Sequence, residues 1–187
     1  MAYKDEILTF ASDKIYYTDE VGTELEVMMD WEDDIMKASA DYVCENGGDI
    51  LEIGFGMGIS ADYIQANSIT SHTIVENHPQ VIERAKAWAV GKSNVTIAEG
   101  DWYAIKDSLS TYDGIFYDTW ADDDTGHFTD VLPTLVKSGA KTTWWNNYTN
   151  SDDVFFISGT TYESILVNPP SNIYFNSNIY YLPKKEF

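Results

Sequence analysis

Three glycines at alternate positions, Gly54, Gly56 and Gly58, follow the run Leu51-Glu52-Ile53 and open onto Ile59-Ser60-Ala61. Glycine lets the backbone take positive φ and lets a ligand lie against the main chain. At the carboxyl end of the first strand of a doubly wound sheet, such a turn is where nucleotides bind. A dinucleotide fingerprint, G-x-G-x-x-G, would need a glycine where Ile59 stands. A phosphate-binding P-loop is also excluded: Gly91-Lys92-Ser93 supplies only its tail, with Lys86 in place of the first glycine. Glu52, just ahead of the turn, would repel a pyrophosphate and suits a ligand with a cationic amino end.

Further acids recur where a nucleoside needs them. Glu76 ends the run Ile74-Val75, about 20 residues past the glycines, where a carboxylate can accept both ribose hydroxyls. Taken alone it would read as a solvated strand end. Asp101 and Trp102, after Gly100, offer an acid and a flat ring to flank an adenine, though a core tryptophan is the competing reading. Asp118 closes the run Phe116-Tyr117 and points into the same crevice if that run is a central strand. Upstream, Val27-Met28-Met29-Asp30-Trp31-Glu32 concentrates sulfur, aromatic and acidic side chains, as a lid over a cleft would.

The elements that must position these residues follow from periodicity. Ile35, Met36, Ala38, Ala40, Tyr42 and Val43 predict a helix over residues 32–44, stopped by Asn46-Gly47-Gly48. Strands are predicted at 49–53, 71–75, 95–98, 114–117 and 140–145, and helices at 58–66, 79–90 and 128–136. Pro79 suits a first helical turn because its missing N–H needs no partner there. Strands separated by helix-length segments predict an α/β fold: a doubly wound, Rossmann-like, mostly parallel sheet. Runs at 164–167 and 179–182, joined through Asn168-Pro169-Pro170-Ser171-Asn172, predict a closing antiparallel pair at its edge. Between residues 145 and 164 no helix is predicted. Residues 1–30, weakly periodic, are read as a lead-in or lid, and 31–187 as a single domain.

At this point a resemblance becomes specific. The G-x-G-x-G turn preceded by an acid is similar to that of class I S-adenosylmethionine-dependent methyltransferases. Val27-Met28-x-x-Trp31-Glu32-x-x-x-Met36, Leu51-Glu52-x-Gly54-Phe55-Gly56-Met57 and Gly114-Ile115-x-Tyr117-Asp118-Thr119 together resemble the guanidinoacetate N-methyltransferase family. Ala87-Trp88-Ala89 and Val167-x-Pro169-Pro170 extend the likeness in collinear order. The resemblance implies that Phe55, Gly56, Met57, Gly58, Ile59 and Ser60 contact S-adenosylmethionine together with Glu76, Asn77, Asp101 and Trp102. It implies that Met28 and Met36 close over that cofactor. Glu32 and Asp118 become a carboxylate pair that grips a guanidinium and takes its proton, with Asp118 also near the cofactor; Asn147 and Tyr148 fall at further substrate contacts. A guanidinium offers a planar fork of donors that carboxylates match in pairs, and no metal is required. The chain departs from the family at Lys137-Ser138-Gly139-Ala140, in the short loop 121–127 and after residue 145, all segments that shape an acceptor pocket.

Composition bounds the rest. The 187 residues suit one domain, and 44% hydrophobic content suits a folded core. A net charge of −20 argues against nucleic acids and anionic membranes, and reads either as a solvated surface or as a field that draws in a small cationic substrate. No apolar run approaches the ~18–20 residues of a membrane span. The sole cysteine, Cys44, and the absence of a signal-like start predict a cytoplasmic protein, monomeric or homodimeric. Asp122-Asp123-Asp124 lacks the glycine and glutamate of a calcium loop and reads as a solvated loop, and His127 reads as a surface histidine. Two alternatives to N-methylation of a small guanidino or amino compound stay open: methylation of protein arginine, and cofactor binding without transfer.

Overall fold

The computed structural model describes residues 3–122 and 124–187. It opens with a small antiparallel sheet of β1 (Thr9–Phe10), β2 (Lys14–Thr18) and β3 (Glu24–Met29). These strands replace the weakly periodic lead-in expected there. A bulge between Ile15 and Tyr16 breaks the alternation of inward and outward side chains, which hides the period of two in the sequence. The turn between β2 and β3 is held by Asp19, whose Oδ1 accepts from Val21 N (3.0 Å) and Thr23 N (2.8 Å).

The main body alternates as expected: α1 (Asp33–Val43), β4 (Asp49–Ile53), α2 (Ile59–Ala66), β5 (Ser71–Glu76), α3 (Pro79–Ala89) and β6 (Val95–Glu99). A short α4 (Trp102–Ile105), capped by Asp101, leads to β7 (Tyr112–Tyr117), α5 (Phe128–Leu135) and β8 (Val136–Trp144). Then β9 (Thr161–Leu166) and β10 (Ile179–Glu186) close the chain. The seven-stranded sheet has the order β6-β5-β4-β7-β8-β10-β9. Strands β4 to β8 run parallel, and β10 pairs antiparallel with both β8 and β9. The predicted edge pair is therefore present, with each strand longer than its apolar run. Strand β8 starts earlier than predicted because its register slips against β7 before Lys141, and the slipped residues carry no strand pattern.

Both faces of the sheet are covered. Ile50 and Phe116 pack with Ile35, Met36 and Ile64 beneath α1 and α2. Their neighbours in sequence, Leu51, Ile115 and Tyr117, point the other way, onto Phe128, Leu132 and Trp144. The small sheet is tied in by Leu8 and Ile15, which share a core with Phe55, Ile74 and Val81. Gln80 on α3 clasps Leu8 in both directions, accepting from its N–H at 2.8 Å and donating to its carbonyl at 3.2 Å.

Residues 145–160 form neither helix nor strand, as expected. Side chains satisfy that backbone instead. Asn146 donates to Asp152 O and Tyr181 O, both at 2.9 Å, and buried Asp153 accepts from Phe155 N and Phe156 N. Among the described residues, no helix is long and apolar enough to cross a membrane.

Candidate active site

The strand order reverses between β4 and β7, and a crevice opens where neighbouring strands send the chain in opposite directions. A cavity of about 410 Å³ occupies that place. Its floor is the glycine turn. Gly54 has φ of +94°, and a Cβ there would run into the backbone carbonyl of Asp118. Gly56 has φ of +52°, and its missing side chain leaves room for the Met28 sulfur, which also accepts from Met57 N at 3.1 Å. The turn thus brings the ends of β3, β4 and β7 together.

Glu76 stands at the end of β5 and lines the cavity. Its Oε2 accepts from Phe55 N (3.0 Å), and its Oε1 accepts from Asn77 N and His78 N (both 2.8 Å). Burial raises its carboxyl above the usual range, opposed by those three N–H groups. One side chain therefore organises the glycine turn and the start of α3 at once. Asn77 and Tyr3 line the same end. The phenol of Tyr3 is pushed upward by burial and then by the charge of Glu76. Trp102 forms another wall and donates its Nε1 to Asp122 Oδ2 at 2.6 Å. Asp122 also accepts from the Tyr117 hydroxyl and Thr119 Oγ1, fixing the loop after β7.

Glu32 and Asp118 form a further part of the lining. After β3 a single 3-10 turn, Asp30–Glu32, redirects the chain into α1 and turns Glu32 inward until it is 3% exposed. Its Oε1 accepts from Met29 N (2.8 Å) and from the Tyr174 hydroxyl (2.6 Å). Burial, then the nearby charge of Asp118, pushes the Glu32 carboxyl up to about 8, against the pull of those two bonds. Asp118 directly follows β7, and its N–H donates to Ile53 O at 2.9 Å. Burial and the charge of Glu52 push its carboxyl up to about 7. Trp120, Trp145 and Tyr174 wall this part with aromatic faces. Behind them Trp31 stacks on Tyr174 and Phe175, with ring centroids 6.1 and 5.7 Å away.

Of the residues singled out in the sequence, Met28, Glu32, Gly54, Phe55, Gly56, Ser60, Glu76, Asn77, Trp102, Asp118 and Asn147 line this one cavity. Others sit elsewhere. Glu52 is fully buried beneath the turn, accepting from Ser60 Oγ and lying 2.9 Å from His72 Nε2, so it faces no cationic ligand end directly. Met36 packs in the core under α1 rather than over the cavity. Met57, Gly58 and Ile59 complete the turn without joining the lining, and Asp101 spends its carboxylate on Ala104 N at the start of α4. Tyr148 is 40% exposed and outside the lining. Asp123 lies outside the described residues. Of the adjacent tryptophans, Trp144 is core and Trp145 faces the cavity.

Tyr174, Tyr3 and Asp122 were not visible as site residues. Tyr174 lies in the turn-rich link between β9 and β10 and meets Glu32 only across 142 residues of chain. Only the run Ile173-Tyr174-Phe175, in a link otherwise rich in Asn, Ser and Pro, marks it.

The sheet order, the reversal point and the glycine floor define a Rossmann-like fold, and the family match makes the chain a class I methyltransferase, whose cofactor is S-adenosylmethionine. The residues present fit that cofactor, with Gly54 and Gly56 in the cavity lining and a buried acid at the end of β5. A family model described as guanidinoacetate N-methyltransferase matches residues 15–155, and the chain belongs to that family. Protein arginine N-methyltransferase 2 of Aspergillus oryzae is 37% identical over 153 residues, covering 77% of this chain and 36% of that protein. Its namesake in Saccharomyces cerevisiae is 39% identical over 118 residues, covering 57% and 27%. The chain thus spans about a third of the length of these curated relatives. Among solved structures, the precorrin-6y C5,15-methyltransferase of Geobacter metallireducens superposes with a TM-score of 0.61 at 16% identity, covering 81% of this chain and 87% of that one. Spermidine synthase of Thermotoga maritima gives 0.61 at 11% identity, covering 96% and 72%. Both are likenesses of fold.

Proposed function

We propose that this protein transfers a methyl group from S-adenosylmethionine to a guanidino nitrogen of a small cationic acceptor. The observation that carries this reading is that Glu32 and Asp118, close enough for the charge of Asp118 to raise the Glu32 carboxyl, line the same cavity as the glycine turn and Glu76. In this reading Glu76, Asn77, Trp102 and the Gly54–Gly56 backbone hold the nucleoside. When bound there, the cofactor would supply a methyl carbon activated by its sulfonium, with a neutral thioether as the leaving group.

The chain's own residues do the rest. A guanidinium is a weak nucleophile because its lone pairs are delocalised and its pKa is above about 12. Carboxylates on two of its nitrogens draw the positive charge toward themselves and leave electron density on the third. Glu32 and Asp118 suit this role because burial pushes their carboxyls up to about 8 and about 7, which makes each carboxylate a stronger base for the proton released as the N–C bond forms. Tyr174 keeps Glu32 in one orientation, and the aromatic walls exclude water and stack on a planar cation.

A second reading, methylation of arginine side chains in a protein, is supported by the names of the curated relatives. Incubating the purified chain with methyl-labelled cofactor, small guanidines and arginine-containing peptides tests both. Label in a small guanidine supports the first, label only in peptides supports the second, and no labelled product from either class overturns both.

A further inference from the structure

Glu76 cannot satisfy a ribose by itself. An ionised carboxylate offers about four lone-pair sites. Glu76 commits one on Oε2 to Phe55 N and two on Oε1 to Asn77 N and His78 N. One site is left, whereas a ribose diol presents two hydroxyls. Tyr3 lines the same cavity, near enough to this carboxylate for the charge of Glu76 to act on its phenol. Among the described residues, no protein group hydrogen-bonds the Tyr3 hydroxyl. Its ring is nonetheless held in place, with its centroid 5.0 Å from that of His78 and 6.3 Å from that of Tyr17. The backbone behind it is latched to the start of α3. Tyr3 O accepts from Glu6 N at 3.0 Å, and His78 Nε2 donates to Glu6 O at 3.2 Å, the tautomer being set by Nδ1, which accepts from Gln80 N. Gln80 then clasps Leu8. The latch and the carboxylate share one corner, since Glu76 also accepts from His78 N.

From this we infer that Tyr3 is a cofactor-binding residue, its hydroxyl bonding the ribose hydroxyl that Glu76 leaves over. The inference rests on the placement of the nucleoside at Glu76 given above and deepens it. A phenol both donates and accepts, so it can meet a sugar hydroxyl in either sense. Because packing already fixes the ring, binding pays little to order it. The segment that precedes β1 thereby supplies a wall of the nucleoside site that the seven-stranded sheet does not, and His78 and Gln80 hold that wall without lining the cavity themselves.

The test is calorimetry on the full chain and on Tyr3→Phe, with S-adenosylhomocysteine and with its 2′,3′-dideoxyribosyl analogue. The phenyl ring keeps the packing on His78 and Tyr17, so the variant is expected to melt with the wild type. Tyr3→Phe should weaken S-adenosylhomocysteine roughly 3- to 10-fold, the effect of one neutral hydrogen bond. It should change binding of the dideoxy analogue by less than about twofold, because the partner hydroxyl is already gone. An equal loss for both ligands means that the phenol acts elsewhere than on the ribose, and overturns the inference. No loss for S-adenosylhomocysteine, while the wild type still prefers it to the analogue, gives the second hydroxyl to another group such as Asn77; that overturns the role of Tyr3 and leaves the nucleoside at Glu76. A wild type that binds both ligands alike, or neither, overturns that placement and the inference with it. The guanidino acceptor is tested separately, by the labelling experiment above.

Discussion

The hydroxyl of Tyr174 donates a 2.6 Å hydrogen bond to Glu32 Oε1, joining the link before the last strand to the turn that opens the first long helix. The same oxygen accepts from Met29 N, so the carboxylate is held from both sides. A buried carboxylate with two donors has one orientation, and its free oxygen has one direction to face. The orientation of Glu32 in the cavity thus depends on residues from opposite ends of the sequence.

Replacing Tyr174 by Phe removes one of those donors. Hydrogen bonds to charged groups contribute about 1.5–3 kcal/mol, so acceptor affinity is expected to fall roughly 10- to 100-fold. Because that bond holds the Glu32 carboxyl down, its titration moves further above about 8. A purely structural role would weaken binding without moving the pH profile. An unchanged midpoint in kcat/KM against pH would therefore contradict a positioning role for Tyr174.

The raised carboxyls set a pH dependence with a definite sign. A guanidinium needs both acids ionised, so acceptor affinity is expected to rise with pH through about 7 to 8 and level off above. The two acids interact, so the observed steps belong to the pair. Stability of the free protein runs the other way. Between about 4, where carboxyls ionise in the unfolded chain, and about 8, the folded state holds protons that the unfolded state has released. Unfolding free energy therefore declines across that window and is flat above it. Denaturant melts at pH 5, 6.5 and 8 measure this; stability that rises over that series would refute the burial of these acids.

Asp118→Asn keeps the shape of the side chain and removes its charge and its ability to take a proton. Turnover is expected to drop ~100- to 10,000-fold, while affinity for the cofactor changes by a few-fold at most. Thermal stability at neutral pH should hold or increase, since a carboxyl disfavoured by burial is gone. Single-turnover kinetics alongside calorimetry separates these effects, and undiminished turnover would remove Asp118 from the chemistry.

Gly54→Ala tests the floor of the cavity. At φ of +94° with the Asp118 carbonyl where a Cβ belongs, the variant must shift the backbone that carries Asp118. A loss of roughly 1–3 kcal/mol is expected from the strain, with cofactor affinity reduced as well. Gly91→Ala, at φ of +84° with open space around it, carries the conformational cost without the collision. Equal melting temperatures for the two variants would argue against the contact.

Much of this was legible in the linear sequence. The strand at Asp49–Ile53, the turn after it and Glu76 at the end of its neighbour follow from periodicity and glycine spacing, because parallel strands buried on both faces leave dense apolar runs. Asp118 was legible for the same reason: it ends a buried run. The N-terminal sheet was not, because its strands are short and one carries a bulge. Nor was the inward fate of Glu52, whose partners Ser60 and His72 come from the following helix and the adjacent strand.

The amino-acid order by itself determined which strands of the main sheet form, where the glycine floor lies and which acids end those strands, because each depends on neighbours within a few residues. Only the tertiary structure decided which acids face the cavity, which side chains wall its acceptor end and that no cation joins them there among the described residues. Those outcomes arise from contacts such as Tyr174 with Glu32 and Trp102 with Asp122, between residues far apart in the chain. Local periodicity carries no record of such pairs; they exist only once both faces of the sheet are packed.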